Sequence, residues 1–282
     1  MKQKKEFYSN GNIRRIYNID ENGQKQGVYK VFYKNGKLAE KSFFLNDKLE
    51  GECKKFHITG RLWKICTFTN GRENGPYVSY RRNGQLKKRC FYKNGVLCGK
   101  YEKYHYNGHL KISCYMTDNS YEGFLTTYYE NGNLEKKIYY KNHRKTGLSE
   151  EYYSNGNLDT RYYLLNGRYE GLYERYYLSG QLQRKYVYKN GLKNGPYIEY
   201  HPNGELLRYG VFRMDVELFG KEAEIYLEQW KKEMVEKKER QNLCQYLNML
   251  DKRMAPTELR QQIKRQAISR FRQIYSKTRT VE

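Results

Sequence analysis

The sequence predicts a mainly β protein, an elongated single-layer antiparallel β-meander of 24-residue hairpin repeats followed by a C-terminal α-helical tail. Three observations support this prediction. Glycines recur at a fixed spacing, the segments between them are short and aromatic, and Gly and Pro disappear from residues 221–250. We therefore assign residues 1–220 to a β-repeat domain, with a partial unit and eight repeats, and residues 221–282 to a basic amphipathic helical region.

Two interleaved series of glycines define the repeat. Both have a spacing of 24 residues, which is typical of a repeat array. The first series comprises Gly36, Gly60, Gly84, Gly108, Gly132, Gly156, Gly180 and Gly204. The second comprises Gly27, Gly51, Gly75, Gly99, Gly123, Gly147, Gly171 and Gly195. Each unit reads approximately G-x-Y-x-x-(F/Y)-Y-x-N-G-x-L, followed by a polar stretch, an aromatic pair and a turn.

The repeats are predicted to be strand pairs. Segments such as "VYKVFY" (28–33) and "KKIYY" (136–140) are rich in aromatic and branched residues and too short for helices. Asn-Gly pairs between them favour the left-handed backbone of tight hairpin turns, as at Asn35-Gly36. The return turns resemble "NGRENG" (70–75). Each repeat is therefore expected to be one hairpin plus a connection.

Equivalent positions in neighbouring repeats should stack as ladders, about 9.6 Å apart. Tyrosine suits a thin sheet, because its ring packs while its hydroxyl reaches water. The aromatic ladder is Phe32, Phe56, Tyr80, Tyr104, Tyr128, Tyr152, Tyr176 and Tyr200. The leucine ladder is Leu38, Leu62, Leu86, Leu110, Leu134, Leu158, Leu182 and Leu206. Aromatics at adjacent positions fall on opposite faces unless a bulge intervenes.

The units "GLYERYYLSGQL" (171–182) and "GPYIEYHPNGEL" (195–206) resemble the MORN repeat, in the variant of YwqK-type antitoxin-like proteins. The resemblance covers roughly residues 2–212. It implies a scaffold sheet, with membrane-lipid binding or an antitoxin role in some members. Such repeats are also frequent in large DNA viruses of protists, so the resemblance also suggests a viral protein. The units here lack the GxG-rich ending of the commonest MORN form.

Composition and charge indicate the class of partner. Only 38% of the chain is apolar, and tyrosine supplies 32 residues. The excess of 54 Lys and Arg over 31 Asp and Glu gives a net charge of +23, which favours phospholipid, nucleic acid or an acidic protein surface. Because no run of about 18 apolar residues occurs, we expect a cytoplasmic, reducing location, or the virion if the protein is viral.

Cysteine and histidine do not predict a catalytic or metal site. Cys66, Cys90 and Cys114 share one repeat position, and their ladder spacing is too large for disulfides among them. The other cysteines are scattered, without a C-x-x-C motif. The histidines His57, His105 and His201 replace the tyrosine that follows the aromatic ladder. A regular sheet offers rows in place of a convergent pocket, so we expect no enzyme activity, cofactor or metal.

Basic residues occupy two adjacent positions on the second strand of the repeat. One position carries Lys64, Lys88, Lys136, Arg184 and Arg208. Its neighbour carries Lys41, Arg89, Lys137, Arg161 and Lys185. These stripes either solvate a thin sheet and protect its edges, or bind an acidic partner beside Tyr104, Tyr128, Tyr152 and Tyr176. Because adjacent positions alternate faces, the charge is divided between both sides, which argues against a nucleic-acid groove.

Two helices are predicted after the repeats. The stretch 221–250 has apolar residues at helical intervals, and Trp230 is its candidate anchor, with capping of the open sheet edge as the plainest role. Pro256 begins a second helix over 257–279. Residues 252–281 contain nine basic residues and one acidic residue, so this helix could bind an anionic membrane, a partner's groove or nucleic-acid phosphates. Its candidate contacts are Arg265, Arg270, Phe271 and Arg272.

These observations together predict a non-enzymatic repeat scaffold that mediates protein–protein interaction, as a structural or assembly component with an acidic protein partner. The first alternative is a peripheral binder of anionic membranes that uses the basic stripes and the C-terminal helix. The second is an antitoxin-like protein that neutralises a partner toxin. Nucleic acid is the less favoured partner, and the oligomeric state is left open.

Overall fold

A computed structural model of the chain describes residues 1–252, with side chains through residue 237. The chain divides into two units, Met1–Val216 and Glu217–Glu282. The second predicted helix, over 257–279, lies outside the described residues. So do its candidate contacts Arg265, Arg270, Phe271 and Arg272.

The first unit is built on a single open antiparallel sheet, which confirms the predicted fold class. Each long strand pairs with the strands before and after it in the chain. The strands are β1 (Lys2–Phe7), β2 (Ile13–Ile19), β3 (Lys25–Phe32), β4 (Leu38–Leu45), β5 (Lys48–Leu49), β6 (Gly51–Phe56), β7 (Leu62–Thr69), β8 (Arg72–Tyr80), β9 (Leu86–Lys93), β10 (Val96–Tyr104), β11 (Leu110–Thr117), β12 (Ser120–Tyr128), β13 (Leu134–Lys141), β14 (Arg144–Lys145), β15 (Gly147–Tyr152), β16 (Leu158–Leu165), β17 (Arg168–Tyr176), β18 (Leu182–Lys189), β19 (Leu192–Lys193), β20 (Gly195–Tyr200), β21 (Leu206–Arg213) and β22 (Val216–Leu218).

The Asn-Gly pairs that precede the leucine ladder form three-residue loops. At the first of them, the Tyr33 N–H donates to the Lys37 carbonyl at 2.8 Å, and the Gly36 N–H donates to the Tyr33 carbonyl at 2.9 Å. Gly36 has φ +79°, whereas Asn35 keeps a negative φ and accepts a hydrogen bond from the Lys37 N–H at 3.1 Å. The predicted hairpin turn is present at Asn35-Gly36, but only the glycine is left-handed, and the asparagine side chain accepts a hydrogen bond within the loop.

The two-residue turns lie at the opposite end of the strands. Asn70 and Gly71 both have positive φ, at 51° and 78°, as a type I′ turn requires. The connection between hairpins is thus itself a tight hairpin, and each repeat contains two reversals of the chain. Equivalent turns occur at Asn46-Asp47, Asn94-Gly95, Asp118-Asn119, Asn142-His143, Asn166-Gly167 and Asn190-Gly191.

Strand register divides the side chains between two faces. We define face A by its central cross-strand pairs, where the buried residues concentrate. These pairs are Tyr29–Ser42, Cys53–Cys66, Tyr77–Cys90, Tyr101–Cys114, Leu125–Ile138, Ser149–Tyr162, Tyr173–Tyr186 and Tyr197–Gly210. In several of them a large side chain lies opposite a small one. A Cβ on Gly210 would lie 2.8 Å from a ring carbon of Tyr197, so glycine accommodates that tyrosine. Face B carries the residues that alternate with these.

The densest packing on face A lies near the end of the array. Tyr186, Tyr197 and Phe212 form a buried cluster, with Tyr173 and Tyr188 packed against it. The rings of Tyr197 and Phe212 are 4.8 Å apart, and those of Tyr186 and Tyr197 are 5.7 Å apart. At this end of the sheet the core is therefore a row of aromatic rings on face A, whereas Cys53, Cys66, Cys90 and Cys114 are buried in the earlier repeats.

Hydrogen bonds from one repeat to the next join the hairpins at their loops. The Tyr153 hydroxyl donates to the Tyr176 carbonyl at 2.8 Å. His105, which replaces tyrosine at this position, places Nε2 2.6 Å from the Tyr128 carbonyl. The same bond is made by Tyr8, Tyr33, Tyr129 and Tyr177. This row, one residue after the aromatic ladder, links each repeat to its neighbour through the backbone.

Replacing Tyr153 with Phe is expected to lower the free energy of unfolding by about 1 kcal/mol, because the Tyr176 carbonyl loses its donor. Urea titration followed by circular dichroism measures the effect. The control is Tyr163→Phe on face B, where the side chain is 44% exposed. Equal losses in the two variants would contradict a role for the loop bond.

The described part of the second unit contains one helix, α1 (Gly220–Lys252). It matches the helix predicted over 221–250 within two residues at each end. Trp230 is half-buried, whereas Ile225 and Met234 of the predicted apolar face are exposed. Capping of the sheet edge by this helix stays a prediction. Within residues 1–252, no helix combines the length and the apolar character needed to cross a bilayer.

Candidate binding surfaces

The basic repeat position that Arg89 occupies lies on face B, and Arg89 forms an ion pair with a glutamate. Glu102 accepts hydrogen bonds from Arg89 and from the Tyr104 hydroxyl, the latter at 2.8 Å, and Lys100 lies 2.6 Å away. The Glu102 side chain is only 4% exposed. The Arg89 hydrogen bond, followed by those from Lys100 and Tyr104, lowers the pKa of Glu102 from 4.5 to about 2. The carboxylate therefore stays charged and neutralises part of the stripe.

The same three-residue arrangement recurs in two later repeats. Arg161 and Tyr152 converge on Glu150, and Lys185 and Tyr176 converge on Glu174, all at 3.0–3.1 Å. The structure thus brings candidate tyrosines of the aromatic ladder beside candidate cations, with a glutamate between them. Sequence analysis missed these glutamates. The detectable signal is a Glu two residues before the ladder tyrosine.

Where the repeat lacks that glutamate, the contacts differ. Thr126 takes the place of the glutamate before Tyr128, and its hydroxyl donates to the Ser113 carbonyl at 3.1 Å. Lys137 lies 4.8 Å from the centre of the Phe124 ring, a cation–π distance. Tyr128 is half-buried and contributes its backbone carbonyl to the loop bond from His105.

The other basic position lies on face A and has more varied partners. Lys136 pairs with Glu151 at 3.0 Å, and Arg208 pairs with Glu199 at 2.7 Å. Lys64 lies 3.8 Å from Glu73. The Lys64 and Lys136 pairs are partly exposed, so each adds little to stability. Glu199, in contrast, is buried and accepts two hydrogen bonds from Arg208. The recurrence of these pairs supports the solvating role that sequence analysis weighed against partner binding.

Two face A cations lie in unusual surroundings. Lys88 Nζ is 4.3 Å from the centre of the Tyr77 ring, with the rings of Tyr92 and Tyr101 within 6 Å. Arg184 lies directly opposite Arg175, a like-charge pair that costs stability. Among the described side chains, no carboxylate comes within 4.0 Å of Lys88 or Arg184.

Face B also carries a row of exposed apolar side chains. We call the following residues, each more than 40% exposed, the apolar row: Val28, Phe43, Phe91, Tyr115, Phe124, Leu148, Tyr163 and Leu172. Four of the eight meet in cross-strand pairs, Val28 with Phe43 and Leu148 with Tyr163. Beside Phe91 and Tyr115 the face has a depression of about 650 Å³. Exposed apolar patches of this kind are typical of contact sites. Sequence analysis did not single it out, because register decides which alternate residues share a face.

Strand register also shows which residue lies opposite each cysteine. Cys53 lies directly opposite Cys66, a pairing that the sequence analysis did not foresee. The five described cysteines are free thiols. Among the described residues, no group of three or more His, Cys, Asp or Glu side chains is arranged to hold a metal ion.

Comparisons with known proteins identify the repeat. Six segments match the family described as MORN repeat variant: residues 25–46, 73–94, 122–142, 145–166, 169–190 and 193–213. No curated protein matches the sequence. Similar solved structures include the Photorhabdus luminescens Tc holotoxin pore, at 14% identity and a TM-score of 0.22 over 74% of this chain. A TcdB2–TccC3–Cdc42 complex shows 10% identity and a TM-score of 0.20 over 71% of this chain. This chain spans 13% of the length of each, and at these TM-scores neither likeness bears on function.

Proposed function

We propose that the sheet of repeats, six segments of which match the MORN repeat variant, is a non-enzymatic scaffold that binds a partner protein through face B. MORN repeats are commonly modules that bind proteins or membranes. The observation that carries the proposal is the apolar row. Its side chains are exposed at matching positions of several repeats, with Glu52 opposite Thr67 and Lys100 opposite Tyr115 as polar interruptions, so together they offer an extended contact surface.

Charge pairing on face B favours a protein partner over a membrane. Arg89, Arg161 and Lys185 each have a glutamate beside them, so they present little free positive charge. An apolar row flanked by satisfied ion pairs resembles a protein interface, with an apolar centre and a polar rim. An anionic bilayer instead requires uncompensated cations.

We expect the partner protein to present an apolar contact area surrounded by acidic residues. The whole chain carries +23, and residues 252–281 alone contain nine basic residues and one acidic residue. Such charge accelerates association with an acidic partner and adds modestly to affinity. In this proposal, the sheet supplies the apolar contact and the basic C-terminal segment supplies the attraction.

The triple variant Phe124→Ser, Leu148→Ser, Leu172→Ser is expected to bind the partner about tenfold more weakly or worse, since each change removes an exposed apolar contact. The partner is first captured with the intact chain, then purified, and its Kd is measured for both proteins. The control is Ile58→Ser with Leu178→Ser, which removes equally exposed side chains at loops away from the row. Equal affinity for the triple variant and the parent would refute binding through face B.

Membrane binding is the rival function, supported by the net charge of +23. Sedimentation with vesicles of phosphatidylserine or of phosphatidylcholine alone separates the two. Strong preference for the anionic vesicles at low salt, unchanged in the triple variant, would favour the membrane function. The antitoxin-like role, the viral origin and the cytoplasmic location stay predictions from sequence.

A further inference from the structure

Cys53 and Cys66 face each other across the β6–β7 hairpin. They are direct register partners, and both are 1% exposed. Directly opposite residues of antiparallel strands have α-carbons about 4.5 or 5.5 Å apart, depending on the pair type. Both distances lie within the ~4.4–6.8 Å that a disulfide spans. The geometry therefore permits a bond across the hairpin without rearrangement of the strands.

The pair is distinctive within the repeat array. Cys90 and Cys114 occupy the same repeat position as Cys66, but their cross-strand partners are Tyr77 and Tyr101. Only in the β6–β7 hairpin, among the described repeats, does a thiol lie opposite a thiol on face A. This makes the other two cysteines natural controls for the chemistry of Cys66.

We propose that Cys53 and Cys66 form an oxidisable dithiol, which a hydroperoxide such as hydrogen peroxide converts into a reversible intramolecular disulfide across β6 and β7. The two thiols provide both the attacking and the resolving sulfur in one place. This assignment is independent of the binding function proposed for face B, because both sulfurs lie on face A.

The surroundings of the two thiols differ. The Cys66 Sγ donates to the Cys53 carbonyl oxygen at 3.8 Å, whereas the Cys53 Sγ donates to Glu40 Oε1, also at 3.8 Å. The Glu40 carboxylate beside Cys53 disfavours a thiolate there, and Lys64 near Cys66 favours one. We therefore assign Cys66 as the sulfur that reacts first and Cys53 as the resolving thiol.

The reaction balances with peroxide alone. The Cys66 thiolate attacks one peroxide oxygen, an S–O bond forms, the O–O bond breaks, and the released hydroxide takes up a proton as water. Cys53 then attacks the Cys66 sulfur, the S–S bond forms, and the S–O bond breaks. The leaving hydroxide takes the Cys53 proton as a second water. Two thiols are oxidised and one peroxide is reduced.

The test uses the folded full-length chain, treated with hydrogen peroxide, alkylated in denaturant and digested with trypsin. Cleavage after Lys48, Lys54, Lys64 and Arg72 places the two cysteines in separate peptides. The expected product is peptide 49–54 joined to peptide 65–72, lighter by two hydrogen atoms than the separate thiol peptides. Dithiothreitol should release both peptides.

Two variants test which cysteines form the disulfide. Cys66→Ser should abolish the linked product, whereas Cys90→Ser, at the same repeat position, should leave its yield unchanged. Failure of the linked peptide to appear in the parent, while circular dichroism reports an intact sheet, would overturn the proposal. So would separate oxidation of Cys53 and Cys66 to sulfinic or sulfonic acids. The parent digest decides the question even if Cys66→Ser does not fold.

Discussion

Replacing Glu102 with Gln is expected to lower the free energy of unfolding at pH 7 by about 2 kcal/mol. This is less than the full energy of the lowered pKa, because the Arg89 and Lys100 side chains are more than half exposed and the Tyr104 hydrogen bond is retained. The glutamine keeps the shape of the side chain but removes the charge that pairs with Arg89 and Lys100. The Tyr104 hydroxyl can still donate to the amide oxygen. The loss therefore reports the buried charge and its two ion pairs.

The same substitution should change the acid stability of the protein. The pKa of Glu102 is about 2 in the folded chain and 4.5 when unperturbed. A lowered folded-state pKa stabilises the native state above pH 4.5, and that contribution disappears as the pH falls from about 4.5 towards 2. The parent should lose stability through this window, and Glu102→Gln should show a shallower dependence. Urea titrations at several pH values measure it.

An exposed glutamate gives the matched control. Glu52 pairs with Lys54 at 2.6 Å, but its side chain is 55% exposed. Because solvent screens such pairs, Glu52→Gln should change stability by less than about 1 kcal/mol while altering the net charge equally. A similar loss for both variants would show that total charge, and not the buried pair, sets the effect.

The sequence predicted the repeat and its strand content because both follow from local signals. Gly71 with Asn70 marks a left-handed turn, and short aromatic segments between glycines favour strands. The resemblance to the MORN repeat variant is confirmed over six segments, whereas the YwqK-type and viral assignments stay predictions. The turn type was not predicted, since Asn35 keeps a negative φ and its side chain accepts a hydrogen bond within the loop. Spacing alone does not distinguish a two-residue turn from a three-residue loop.

The candidate surfaces were less predictable because they depend on register across strands. The sequence placed Arg89 in a basic stripe, but its partner Glu102 lies 13 positions later and meets it only through the pairing of β9 with β10. The opposition of Cys53 and Cys66 has the same origin. A shift of one residue would send every such side chain to the other face. Contacts of this kind become visible only once the strands are paired.

The second large effect is expected for Tyr197→Ala, which should lower the free energy of unfolding by about 3–4 kcal/mol because it empties the best-packed part of face A. Tyr197 is 5% exposed, and its ring lies against Phe212 and Tyr186. The control is Tyr77→Ala at the same repeat position, where the ring is only half-buried and the loss should be clearly smaller. Thermal and urea unfolding of both variants give the comparison.

Substitution of Gly210 tests whether this residue and the Tyr197 ring pack against each other. In the parent, Gly210→Ala would place a Cβ 2.8 Å from a ring carbon of Tyr197, and we expect overpacking to cost about 2 kcal/mol. In the Tyr197→Ala background the ring is gone, so the same change should be neutral or stabilising, since it fills part of the space left behind. The double-mutant cycle should therefore show strong coupling. If the two losses simply add, the glycine does not accommodate the ring, and the pairing of large with small side chains across face A does not determine its packing.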